Sequence, residues 1–161
     1  MTTISENWNR KLEEGEKVQN EFMNLISSVY PDVCIYEDGK SKYADILIPS
    51  SNTSLEVKFD VLSDVTGNLA IEYQFRGKPS GIWASSADYF VIAHKDNFYL
   101  FNRLALFDWL VINKDWTKKV KGGDDMASCL ILVPKRELVN RAFCFVLGRD
   151  GMYINSLNNF I

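Results

Sequence analysis

The stretch "SLEVKFDV", residues 54 to 61, alternates as a strand does, and the period of two sorts it into two faces. Leu55, Val57, Phe59 and Val61 fall on one face and are expected in the core, while Glu56, Lys58 and Asp60 fall in a row on the other. Eleven positions before Glu56, Asp45 stands in "YADILIP", an apolar run closed by Pro49 and the turn-rich "SSNTS". Residues 43 to 61 therefore read as a hairpin that can bring the Asp45 and Glu56 carboxylates close together. Two such carboxylates raise each other's pKa unless a cation sits between them. A few oxygen ligands with room left for water suit Mg²⁺ better than a Ca²⁺ cage or a zinc centre. Lys58, two residues on, emerges on the same side, where it can orient a water or stabilise charge developing on a phosphate. Metal, water and lysine are the equipment for hydrolysing a phosphodiester. Asp60 is a lesser candidate on the same face.

These residues need elements to hold them. Val18, Phe22, Leu25, Ile26 and Val29 recur at helical spacing, extended upstream by Trp8 and Leu12, and predict an amphipathic helix over 5–29 that Gly15 weakens and Pro31 ends. Strands are expected at 33–37, 43–49, 55–61 and 69–75. In the last, Leu69, Ile71, Tyr73 and Phe75 alternate with Ala70, Glu72 and Gln74. "DYFVIAH" is apolar throughout, as a central strand would be, and "NFYLFN" pairs with it across a turn. Asn102 is placed to cap a helix over "RLALFDWLVIN". A charged loop "KDWTKKVKGGDD", a strand "CLILV", a short helix opened by Pro134 and a final strand "AFCFVLG" complete the chain. The order predicts one α/β domain with a mixed central β-sheet flanked by helices.

Length and composition bound the rest. The 161 residues suit one domain, and 47% hydrophobic with 13% aromatic residues is ample for a packed core. A net charge of -3 argues against a protein that coats nucleic acid non-specifically, though not against an enzyme whose acidic site is neutralised by cations. Cys34, Cys129 and Cys144 stand singly and His94 is the only histidine, so free thiols in a reducing compartment are expected and a structural zinc site is not. The polar N-terminus begins no signal peptide and no apolar run approaches a membrane span, so the expectation is a cytoplasmic protein with no membrane partner.

Asp45 followed by Glu56-Val57-Lys58 resembles the motif of the PD-(D/E)XK nuclease superfamily, an aspartate on one strand and Glu-x-Lys on the next. The restriction-endonuclease-like core of that family would cover about residues 8–101, with 102–161 as a C-terminal elaboration. Ala44 stands where the family often has proline. The resemblance implies a Mg²⁺-dependent endonuclease acting on duplex or branched DNA, Mn²⁺ substituting, and leaving a 5′-phosphate and a 3′-hydroxyl. It also implies an acidic residue on the first helix that assists the metal, for which Glu21, at the edge of the apolar stripe, is the candidate. Glu72 and Gln74 would continue the site across the sheet. The stretch from Asn68 to Phe90 is similar to one in phage-type members, where Arg76, Lys78 and Ser80 would contact phosphates. That branch suggests a phage-encoded protein in a bacterial host. A chain this short without a recognition domain fits a structure-directed, Holliday-junction-resolvase-like nuclease, working as a homodimer to make paired cuts. A restriction or homing endonuclease, or a non-catalytic binding module on the same fold, is the alternative.

Lys114, Lys118, Lys119 and Lys121 around Trp116 form the most basic patch and are a further candidate nucleic-acid grip, as are Lys135, Arg136 and Arg141. His94, at the end of an apolar strand, is expected to be structural rather than a general base.

Overall fold

A computed structural model describes residues 4–36, 44–60, 63–115 and 117–161. Helix α1 (Ile4–Ile26) leads into strands β1 (Cys34–Ile35), β2 (Ile46–Ile48) and β3 (Thr53–Phe59), then a short helix α2 (Ser63–Thr66). Strands β4 (Asn68–Phe75), β5 (Lys78–Pro79), β6 (Tyr89–Ala93) and β7 (Asn97–Asn102) precede helix α3 (Arg103–Ile112). Strands β8 (Lys118–Gly122) and β9 (Ser128–Pro134), helix α4 (Lys135–Leu138) and strand β10 (Cys144–Gly148) follow, closed by a 3-10 turn at Ile154–Asn159. No helix among the described residues is long and apolar enough to cross a membrane.

The sequence predicts one sheet, whereas the described residues form two. The first has the order β1-β2-β3-β6-β7-β10 and is mixed: β3 and β6 run parallel, Glu56 opposite Phe90 and Lys58 opposite Ile92, and the other pairs are antiparallel. The second, β5-β4-β9-β8, is antiparallel throughout. The strand after the Glu-x-Lys strand thus leaves the first sheet. Its place beside β3 goes to β6, braced by the Asp88 carboxylate, which accepts from the Ser54 N–H at 2.8 Å and hydroxyl at 3.0 Å.

Two cores result. On one face of the first sheet Leu55, Val91, Ala93, Phe98, Leu100 and Leu147 pack under Val18, Phe22 and Ile26 of α1, with the Phe22 and Phe98 rings edge-on at 5.0 Å. On the other face Phe90, Ile92, Tyr99 and Phe101 meet Leu69, Ile71, Ile131 and Val133 of the second sheet, together with Leu106 and Leu110 of α3. Emptying a position as closed as Phe22 would cost about 3–5 kcal/mol. The helical stripe of α1 buries at Val18, Phe22 and Ile26, but Leu12 upstream is 49% exposed and the helix ends at Ile26, before Val29; Gly15 does not divide it. Phe59 is an exception: it is 36% exposed at the end of β3, where the sheet stops, while Val61 lies outside the described residues.

Short-range chemistry sets the joints. The Asn102 side chain accepts from the Ala105 N–H at 3.1 Å and caps α3, as expected from its type and place. Within the expected charged loop at 114–125, Lys118–Gly122 forms strand β8, which pairs along its length with β9. Between β4 and β5, Arg76 (φ 47°) and Gly77 (φ 77°) make a two-residue hairpin turn with both residues in the left-handed region.

Candidate active site

Asp45 sits just before β2, where the ladder with β3 turns irregular. Its backbone N–H donates to the Leu55 carbonyl at 2.9 Å, and its carboxylate Oδ2 accepts from the Val57 N–H at 2.8 Å. The side chain thus takes the place of a backbone acceptor on β3, which fixes it against the strand that carries Glu56 and Lys58. Glu56 is buried and Lys58 half exposed, with Lys58 Nζ 2.7 Å from Glu56 Oε1. Glu56 Oε2 is buried without a hydrogen-bond partner. A carboxylate oxygen removed from water with nothing to offset the loss costs about 1–3 kcal/mol or more.

Glu72 completes the electrostatic group. Its two oxygens accept from the Ser80 hydroxyl at 2.5 Å and the Ser128 hydroxyl at 2.6 Å, so the carboxylate is clamped from both ends. Partial burial alone would push the Lys58 ammonium down. Glu56 first, then Asp45 and Glu72, outweigh that burial and hold it above the ordinary lysine value. Lys58 is therefore cationic at neutral pH and can donate or neutralise but cannot serve as a base. Asp60, on the same face, is structural, since its Oδ2 accepts from the Ala70 N–H at 3.0 Å and ties β3 to β4.

Asp45, Glu56, Lys58 and Glu72 are thus gathered, and other candidates are not. Glu21 is held by Arg149, whose Nε donates to Oε1 at 2.8 Å and whose Nη2 pairs with Oε2. That guanidinium, its Nη1 also donating to the His94 carbonyl at 2.7 Å, keeps the Glu21 carboxyl below the usual carboxylate range. The expectation that Glu21 reaches over the sheet to Asp45 is replaced by a bidentate ion pair with a residue 128 positions away.

Gln74 is also corrected. A bulge between Glu72 and Gln74 leaves Tyr73 as the extra residue, so Glu72 faces Leu130 and Gln74 faces Cys129. The bulge flips the alternation: Gln74 moves to the Cys129 and Ile131 face, and Phe75, opposite Ser128, turns outward to 41% exposure. Glu72 and Gln74 therefore do not share a face.

The basic candidates disperse. Ser80 is committed to Glu72. Arg76, in the hairpin turn, lies over the Phe75 ring at 5.3 Å, and Lys78 is exposed on β5. Lys118 and Lys119, both exposed, pair with Leu132 and Ile131 and so point to opposite faces of β8. Trp116 lies outside the described residues. Buried His94 stacks edge-on against Tyr99 at 5.5 Å and has Lys135 Nζ 3.5 Å from its Nε2. Ser128 and Arg149 escaped the sequence reading because nothing local marks them; both act on partners more than fifty residues away.

Among the described residues no three His, Cys, Asp or Glu side chains come together as a ready metal-holding group. Asp45 and Glu56 are the acidic candidates whose charges act on Lys58, and Glu56 Oε2, buried without a hydrogen-bond partner, is a hard oxygen donor of the kind a divalent cation takes. No family model matches this sequence, and neither a curated protein nor a solved structure does.

Proposed function

We propose that this chain is a metal-dependent phosphodiesterase acting on DNA, built on a restriction-endonuclease-like core, with Asp45 and Glu56 as metal ligands and Lys58 as the catalytic cation. One observation carries the reading: a buried carboxylate oxygen with no partner, on a strand whose next outward residue is a lysine held cationic by three carboxylates. A Mg²⁺ bound there would supply charge neutralisation and a bound water of lowered pKa. The chain's own residues would do the rest. Lys58, able to leave Glu56 once that carboxylate has another cation, would donate to the attacking water or to a non-bridging phosphate oxygen as charge builds on it. Water oxygen would bond to phosphorus, its proton passing to solvent, as the bond to the 3′-oxygen breaks and solvent protonates the departing oxygen, giving a 5′-phosphate and a 3′-hydroxyl. Glu72, immobilised by Ser80 and Ser128, would keep the field that holds the lysine charged. Glu21 has no role in this scheme, since Arg149 occupies it. A homodimer would deliver two such sites to paired strands.

A second reading, nucleic-acid binding without turnover, is favoured by the fact that only two of the candidate acids are left for a metal. Cleavage separates them. Labelled linear duplex, single strand, flap and four-way junction would be incubated with Mg²⁺, Mn²⁺ or EDTA, using wild type and Lys58→Ala. The expected result is metal-dependent cutting of at least one substrate, reduced about a hundredfold or more in the variant. Tight binding with no cutting of any substrate would leave the binding module as the account.

A further inference from the structure

Tyr73, the extra residue of the bulge in β4, lies on the Ile131 side of the second sheet. Tyr73, Trp83 and Phe107 form a chain of rings, Trp83 lying 5.3 Å from Tyr73 and 5.6 Å from Phe107. They line a cavity of about 300 Å³ between the second sheet and α3, floored by Ile131 and edged by Lys114 and Lys119. Trp83 is 50% exposed, so a large flat ring with aromatic neighbours on its flanks still offers surface to a ligand. The wall is apolar and aromatic, and the charged groups at its edge are both cations. The cavity therefore suits a ligand with a flat unsaturated ring and adjoining negative charge, and disfavours a cationic one. Its volume lies at the small end of ligand clefts, room for one ring system.

We propose that this cavity is a subsite for a single unpaired base of a nucleic-acid strand, stacked on Trp83, with Lys114 and Lys119 against the flanking phosphates. Every base has a π-face, so stacking on aromatics accepts any sequence but requires the base to be out of a duplex. The subsite deepens the proposed function and rests on it for the choice of ligand. It would direct the protein to DNA with an unpaired position rather than to uniform duplex. The site and the subsite share strand β4, since Tyr73 follows Glu72 directly.

The test is binding in EDTA, where cleavage does not intervene. Two duplexes are compared at fixed salt, one fully paired and one carrying a single unpaired 2-aminopurine. Wild type is expected to bind the second about tenfold more tightly and to quench its emission, as one stacked base would give. Trp83→Ala should abolish the preference and the quenching, and Trp83→Phe should restore most of both, which separates stacking from a folding defect. Lys119→Ala should weaken binding and lower the salt dependence by about one phosphate contact. Equal affinity for the two duplexes would overturn the proposal, as would a preference that survives Trp83→Ala. A dimer that shields Trp83 from acrylamide quenching would overturn it too, because a second copy would then occupy the face. Base selectivity in a protein that cuts nothing would leave the subsite standing and remove the nuclease. Cutting with no selectivity would do the reverse.

Discussion

Two glutamates that the family resemblance assigns to one metal site have opposite surroundings. Glu21, on α1, receives a guanidinium from Arg149 on both oxygens, and the same guanidinium donates to the His94 carbonyl and lies over the Phe98 ring at 5.4 Å. Glu56, on β3, has one oxygen on Lys58 and the other buried without a partner. The chain supplies partners for both oxygens of the first carboxylate, and for only one oxygen of the second. A bidentate pair that also anchors a carbonyl is a joint between the helix and the sheet. A buried carboxylate with one oxygen unpaired is costly to keep, which is the contrast on which the proposed metal site rests.

Substitutions can break that contrast, and the largest effect is expected at Glu56. Glu56→Gln should lower metal-dependent cleavage about a hundredfold or more. In EDTA its thermal midpoint should be no lower than that of wild type, because the amide takes the charge off the partnerless buried oxygen while half-exposed Lys58 keeps its contact with water. A large loss of stability there would mean that Glu56 is a structural partner of Lys58 and nothing more. Arg149→Ala should behave inversely, costing about 2 kcal/mol in urea unfolding while cleavage by the folded fraction persists. Gly81→Ala tests the second sheet. Gly81 has φ +52°, and a Cβ there would lie 2.1 Å from the Glu72 carbonyl oxygen, so a comparable loss of about 2 kcal/mol is expected, with Ser80 drawn away from Glu72.

The effects of pH are smaller. Glu21 has a lowered pKa, chiefly from its hydrogen bonds to Arg149, so its stabilisation is full above the ordinary carboxylate range and is lost as pH falls through the lowered value. The deficit of Arg149→Ala should therefore shrink below about pH 4. Lys58 has a raised value despite partial burial, so its pairing is complete below the ordinary lysine value and is lost only as pH rises through the raised one. No basic limb from Lys58 is expected in a rate profile below about pH 10. The smallest effect concerns thiols. Burial pushes Cys144 up to about 12, and Cys34 is exposed, so a thiol reagent at neutral pH should modify Cys34 first.

What the sequence made legible follows the range of each interaction. The α1 stripe, the hairpin joining β2 to β3, the β6–β7 pair and the Asn102 cap all depend on neighbours a few residues apart, where periodicity and turn chemistry act. The adjacency of Glu56 and Lys58 is of the same kind, since a strand puts alternate residues on one face. The second sheet was not legible, because β4 pairs with β9, whose residues come more than fifty positions later. Nor was the bulge at Tyr73, which depends on that pairing and exchanges the faces of Gln74 and Phe75. The partner of Glu21 lay 128 residues away, and no local pattern announces an arginine that will fold back onto the first helix.

The most direct test of the central claim is anomalous scattering from crystals grown with Mn²⁺. A metal peak bonded to Glu56 Oε2 and to a carboxylate oxygen of Asp45, absent in Glu56→Gln, is the expected result. Crystals saturated with Mn²⁺ that keep Glu56 Oε2 unliganded and show no peak beside Asp45 would contradict it.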